Sequence, residues 1–188
     1  MANTSNPSGF RPLYDKNGTA PRLNNFGQWA IAAGYTTALY SGDAVSCNST
    51  TRTNLELATG SGANFVGVFM GVSYKDADGS YQYKKYWDGA GTGRTEIHAY
   101  VYDSPNTVFL IECDASAVPA DTDLSKTADI TASTTGSTLT GRSNMTLKTS
   151  SIGTDLNLMI LDRFRSPENE TGASSKYVVY INEHKFKS

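Results

Sequence analysis

At 188 residues the chain has room for one domain with a substantial core, or for one domain plus an arm. Eleven Tyr and seven Phe, few charged residues and abundant turn formers favour an all-β fold over a helical one. A formal net charge of −2 argues against a protein built to bind nucleic acid, and no apolar run nears the roughly 18 residues of a membrane-spanning helix.

The first zone, residues 2 to 26, is polar and broken by Pro7, Pro12 and Pro21, with glycines at 9 and 18. It has neither helical nor strand period. Phe10, Leu13, Tyr14, Leu23 and Phe26 punctuate it, whereas purely solvating tails are poor in aromatics. The expectation is an extended arm over 1–26 that lacks a core of its own and orders on a partner, followed by one β-rich domain over 27–188.

From Trp29 the pattern is strand, turn, strand. Trp29 to Tyr40 reads as a strand broken at Gly34, Ala44 to Cys47 as a second, and Asn54 to Ala58 as a weak third. The central feature follows: Phe65 to Tyr74, a nearly continuous apolar run, then a polar segment ending in Asp78-Gly79, then Ser80 to Tyr86. Asp-Gly between two such runs predicts an antiparallel hairpin, because Gly tolerates positive φ and Asp bonds its own backbone. Gly67 and Gly71 inside the first run call for a bend or for close packing at those points. After a glycine-rich loop, Glu96 to Tyr102 alternates, with Ile97, Ala99 and Val101 on one face and His98, Tyr100 and Tyr102 on the other. Val108 to Cys113 is again apolar. Ala115 to Gly141 carries no clear period beyond a short helix capped by Asp121 or Thr122. Met145 to Lys148, Leu156 to Phe164 and Tyr177 to Glu183 complete the strands. Short turns without helix–strand alternation predict a compact β-sandwich or a partly open β-barrel.

The chemical motifs of enzymes are missing. Gly89-Ala-Gly-Thr-Gly93 lacks the Lys-Ser/Thr of a phosphate loop and reads as a mobile loop. Asp76-Ala-Asp78-Gly79 lacks the further acidic ligands of a calcium loop and reads as a turn. His98 and His184 have no metal-ligand spacing and read as surface or half-buried histidines. Cys47 and Cys113 read as two buried reduced thiols. No catalytic residue, cofactor site or metal site is expected. Asn-x-Ser/Thr sequons at Asn3, Asn17, Asn48, Asn144 and Asn169 read as products of an Asn/Thr-rich composition. With no signal peptide at the N-terminus, a soluble product made in the cytosol is expected.

Several segments, taken in order, carry a resemblance: Asn6-Pro-Ser-Gly-Phe-Arg-Pro-Leu-Tyr14 with Asn17-Gly18, Ser41-Gly-Asp-Ala-Val45, Asn64-Phe-Val-Gly-Val-Phe-Met-Gly71, Tyr86-Trp87, Ala99-Tyr-Val-Tyr-Asp-Ser-Pro105 and Ile181-Asn-Glu-His184. Together they resemble the capsid decoration (cement) proteins encoded in the head modules of tailed bacteriophages. The resemblance spans most of the chain except residues 115–140, and its motifs are structural rather than catalytic. It implies a non-enzymatic virion protein on the outer capsid surface, made in the host bacterial cytoplasm and bound to the major capsid protein. It also implies self-association, as a trimer at local threefold positions or as a dimer. On this reading Phe10, Arg11, Leu13, Tyr14, Leu23 and Phe26 of the arm bind the capsid, where an extended arm gains backbone hydrogen bonds by adding a strand to a sheet edge. The alternative is a carbohydrate-binding or receptor-binding fibre domain whose aromatics stack on sugars. A hydrolase using scattered carboxylates is the third reading.

Overall fold

The structure, a computed structural model, describes residues 3–60 and 65–187; the side chains of residues 25–27 lie outside that description. In chain order the strands are β1 (Arg11–Asp15), β2 (Asn24–Ala30), β3 (Leu39–Tyr40), β4 (Ala44–Cys47), β5 (Leu55–Leu57), β6 (Phe65–Lys75) and β7 (Tyr81–Lys84). They continue with β8 (Tyr86–Trp87), β9 (Thr95–Tyr102), β10 (Thr107–Glu112), β11 (Thr127–Thr131), β12 (Thr146–Gly153), β13 (Leu158–Arg163) and β14 (Lys176–Ile181). The fold is all-β. One antiparallel sheet runs β1-β10-β14-β13-β11-β12, a second runs β2-β9-β6-β4-β5 with β7 also on β6, and β3 pairs β8 as a small ribbon.

The two large sheets face each other across one continuous apolar core, fed by Phe109, Ile111, Val179 and Ile181 from the first and Val45, Val66, Val68 and Val101 from the second. Neither sheet closes into a barrel. β6 and β10 read as largely apolar runs because each is an interior strand covered on both faces. β9 keeps the alternation its sequence predicts: Ile97, Ala99 and Val101 are buried while Glu96 and His98 face out. Among the described residues no helix is long and apolar enough to cross a membrane.

The N-terminal zone differs from the expectation of an arm without a core. Arg11–Asp15 is the edge strand of the first sheet, in register with Thr107 to Leu110 of β10. Phe10 is only 1% exposed and packs edge-on against Phe109, with ring centroids 5.7 Å apart. Further upstream, the Asn3 side-chain amide donates to the carbonyls of Glu170 (2.8 Å) and Ala173 (3.1 Å). Apolar anchors alone cannot order such a segment, since each fixed residue costs about 1–2 kcal/mol of backbone entropy. The hydrogen bonds that tip the balance come from the chain's own β10.

Three smaller differences have local causes. Trp29 to Tyr40 is not one strand: β2 ends at Ala30, the chain turns at Ala32–Tyr35, and pairing resumes at Leu39. The 115–141 region holds strand β11, whose Thr-Ala-Asp-Ile-Thr has too few apolar residues to announce itself, and a 3-10 turn at Asp121–Asp123 in place of a helix reaching Lys126. The 89–93 loop is pinned rather than loose, because a Cβ at Gly89 or Gly91 would strike the carbonyls of Thr36 or Ala33.

The Tyr40–Asp43 turn ties these parts together. Asp43 is fully buried; its Oδ2 accepts from the Tyr40 amide (2.7 Å) and its Oδ1 from the Ser143 hydroxyl, 100 residues away. Ser143 Oγ in turn accepts from the Met145 amide (2.8 Å). The turn's backbone accepts from Phe10 at Gly42 (2.8 Å) and exchanges bonds with Phe69, Gly42 N–H to Phe69 O (2.8 Å) and Phe69 N–H to Asp43 O (2.9 Å). Gly42 sits at φ +100 with its α-carbon against Ser8 and Phe10, a place no side chain fits.

Beyond β14 the chain leaves the first sheet for the second: Phe65 N–H donates to Glu183 O (3.1 Å) and Lys185 N–H to Phe65 O (2.8 Å). His184, between them, is therefore buried rather than on the surface, at 4% exposure. Both cysteines are free thiols; Cys113 is buried and Cys47 half-buried. Burial pushes the Cys113 thiol up to about 11, which leaves it a poor nucleophile at neutral pH.

Two predictions follow from this architecture. Removing residues 2–15 strips an edge strand and uncovers Phe109, so the melting temperature falls by roughly 5 °C or more; scanning calorimetry on the truncated chain checks it. The second concerns pH. Burial pushes the Asp43 carboxyl up from 3.8 to about 7, so the native state holds a proton the unfolded chain has lost, and stability falls as pH rises through that window. Burial pushes His184 down from 6.5 to about 4, so the unfolded chain binds the extra proton and stability rises with pH between those values. Each slope reaches about 1.4 kcal/mol per pH unit, and they oppose each other. Relative to the parent, His184→Gln is therefore expected to lose stability increasingly from pH 4.5 to 6.5 as the Asp43 slope stands alone. Asp43→Asn is expected to gain relative stability over the same range, read by urea unfolding at each pH.

Candidate interaction surface

The Asp-Gly hairpin forms as the sequence predicts. Asp76 N–H donates to Ser80 O (2.8 Å), Gly79 N–H to Asp76 O (2.9 Å), and Gly79 takes φ +86. Val72, Ser73, Tyr74 and Lys75 of β6 face Lys84, Tyr83, Gln82 and Tyr81 of β7. Bonded and unbonded pairs alternate along such a ladder, so with Asp76 and Ser80 bonded, the backbone groups of Tyr81 and Tyr83 point away from β6. Among the described residues β7 has no second strand partner, so those groups form an open edge.

The side chains on this edge are unusual. Tyr81 and Tyr83 are 68% and 59% exposed, side by side on one face of the strand. They are nonetheless held in place. The Tyr81 hydroxyl donates to Glu96 Oε2 (2.7 Å), and Lys75 lies 5.7 Å from the Tyr81 ring and 3.9 Å from Glu96. Tyr83 reaches over β6 to Tyr100, ring centroids 5.5 Å apart, and the Tyr100 hydroxyl donates to Ser73 Oγ (3.0 Å). A Cβ at Gly71 would stand 2.9 Å from the Tyr83 hydroxyl, which is why that mid-strand position has no side chain. Three tyrosines from β7 and β9 thus make a partly pre-ordered aromatic face rimmed by Lys75, Glu96 and His98.

The turn at 137–141 adjoins this edge. The Ser41 amide is shared between Lys85 O (3.1 Å) and Gly141 O (2.8 Å), which places the turn against the residue after β7. At its tip Leu139 is 95% exposed, stranded in water in the free protein. On the other side of Ser41, a cleft of about 290 Å³ is lined by Phe10, Arg11, Pro12, Met70 and Arg142. Its two guanidinium groups suit an acidic side chain.

The six residues expected to bind a partner scatter. Phe10 is used up in the core, and Leu13 is half-buried on β1. Arg11 lines the cleft just described, and Tyr14 is exposed on β1. Leu23 is exposed in a second cleft, and the side chain of Phe26 lies outside the described residues. Tyr81, Tyr83 and Leu139 were legible only as members of a hairpin and a loop; strand alternation in Ser-Tyr-Gln-Tyr-Lys was the available signal, since it places both tyrosines on one face.

Other groups are occupied structurally. Arg94 meets Asp88 through both guanidinium nitrogens, 2.5 and 3.0 Å, and stacks over Tyr74 and Trp87 at 4.3 and 5.4 Å. Among the described residues no group of three or more His, Cys, Asp or Glu side chains could hold a metal ion.

The hydrogen bond to Glu96, then its negative charge, raises the Tyr81 phenol above the ordinary tyrosine value of 10. Glu96→Gln is expected to bring it back toward 10, measured by NMR titration of ring-labelled tyrosine, with Tyr83 shifting less. The chain matches no protein-family model, no curated protein and no solved structure.

Proposed function

We propose that this protein is a non-enzymatic bacteriophage virion component that binds the outer surface of the capsid and cements neighbouring major capsid protein subunits. The resemblance of its ordered segments to phage decoration proteins supports the reading. The observation that carries it is the open, tyrosine-lined edge of β7. Tyrosine offers large contact area at low entropic cost, and open backbone groups let a partner strand add to the sheet. Leu139 and the Arg11–Arg142 cleft, both next to the Ser41 junction, offer an apolar anchor and a site for an acidic side chain as further contacts.

Contact with the capsid passes in this reading through the rigid body rather than a loose arm, because residues 10–15 are committed to the protein's own sheet. Arg11, Tyr14 and Leu23 keep a place at the surface and contribute from there. Self-association as a trimer, or as a dimer, belongs to the same proposal.

The test is co-sedimentation of the full chain with assembled shells of a tailed-phage major capsid protein, chosen as one whose gene neighbours its own; the lack of any such neighbouring gene counts against the reading. Tyr81→Ser with Tyr83→Ser is expected to weaken binding roughly tenfold or more, the loss typical of truncated interface anchors, with the melting temperature little changed. A folded parent protein that does not sediment with those shells would overturn the reading. So would a double variant that binds like the parent, as regards the role of β7.

A further inference from the structure

A second cleft, of about 450 Å³, opens where the turn after β1 meets the turn between β9 and β10. It shares no lining residue with the tyrosine surface. Its walls are Asp15, Asn17, Arg22, Leu23, Asp103 and Ser104, joined by Thr19 and Asn24. The loop that frames it is braced: Asp15 N–H donates to Thr19 O (2.9 Å), Gly18 N–H to Asp15 O (2.7 Å) and Lys16 N–H to Asn106 O (2.9 Å).

Two carboxylates face this space half-used. Asp15 is 6% exposed, and its Oδ1 accepts from the hydroxyls of Thr107 (2.8 Å) and Ser104 (3.4 Å). Its Oδ2 has no protein donor among the described residues, although it is not sealed from solvent. Asp103 Oδ2 accepts from the Trp29 indole (2.9 Å) and the Asn24 amide (2.6 Å), leaving Oδ1 likewise without a protein donor. Each carboxylate thus keeps one oxygen that can accept from a ligand donor in the cleft in place of water.

The composition of the walls selects the ligand. Two carboxylates repel an anion, so phosphate and acidic sugars are disfavoured. Arg22 in the same wall offsets one of the two negative charges and so weakens the pull on a cation, and the acidic groups are too few for a metal. A neutral ligand that both donates and accepts at several points suits every group present. Its hydroxyls donate to Asp15 and Asp103, accept from Arg22 and Asn17, and its C–H face lies on Leu23. The volume falls within the usual range of small-molecule sites. We infer that this cleft is a binding site for a neutral hexopyranose unit of a saccharide. The inference shares only Leu23 with the capsid-binding reading and adds a cell-surface or matrix glycan to what the protein engages.

The test uses the full chain with a panel of methyl glucoside, galactoside, mannoside and N-acetylglucosamine, read by saturation-transfer NMR and by amide shifts. At least one sugar is expected to bind, with the largest shifts at residues 15–24 and 103–104. Arg22→Ala, at an exposed position, is expected to weaken it about tenfold at an unchanged melting temperature, and Asp15→Asn to do the same or more. Tyr81→Ser with Tyr83→Ser is expected to leave sugar binding intact. No binding by any of the four sugars overturns the inference. So does binding that the tyrosine variant abolishes, or shifts at the cleft caused by calcium or N-acetyl-lysinamide but by no sugar.

Discussion

One buried carboxylate, that of Asp43, holds the junction at which four separate parts of the chain meet. Removing it would leave the Tyr40 amide and the Ser143 hydroxyl buried without an acceptor, each a penalty of roughly 1–3 kcal/mol. More is at stake than those bonds. The turn that Asp43 holds is where the N-terminal segment, β6, the residue after β7 and the 141–145 segment come within bonding distance of one another. Its glycine lets backbones approach where side chains would separate them, and Gly9 approaches it from the opposite side. Two sheets could stack by apolar contact alone; the angle and register between them need such a fixed point.

The same junction links the core to the surface. Ser41, one residue into the turn, braces both Lys85 and Gly141, so the end of β7 and the loop carrying Leu139 share a single support. An exposed aromatic edge is useful only if it does not rearrange on contact. Here Tyr81 is tied through Glu96 and Lys75, and Tyr83 lies over a glycine, so little ordering entropy is left to lose on binding.

Much of the fold was legible in the sequence because strands with one buried face must alternate and turns need particular residues. β9, β13 and the β6–β7 hairpin follow from those two rules. The failures share a physical cause, which is that tertiary partners outweigh local composition. β1 is proline-containing and polar, a poor strand by propensity, and it exists because β10 offers it hydrogen bonds. β11 has a Thr-Ala-Asp-Ile-Thr sequence that signals nothing until β12 and β13 flank it. His184 read as a surface or half-buried residue because nothing nearby in the sequence shows that the chain crosses to the other sheet. Of the interaction surface, the hairpin was readable but its exposure was not. The polar cleft was not readable at all, since its carboxylates, Asp15 and Asp103, lie 88 positions apart and meet only when both turns are in place.

The pairing of β1 with β10, and of β10 with β14, has a consequence for how the chain comes off the ribosome. Arg11 finds Leu110 and Val108 finds Tyr180, so β1 waits for β10, which in turn waits for β14. Contacts of such sequence separation close slowly, because the long intervening loops must be gathered first. Until then the apolar run of β10 lacks both neighbours and is an edge open to other chains. The first sheet therefore cannot assemble before β14 has been made, and a nascent chain is at its most aggregation-prone in the interval between the emergence of β10 and that of β14.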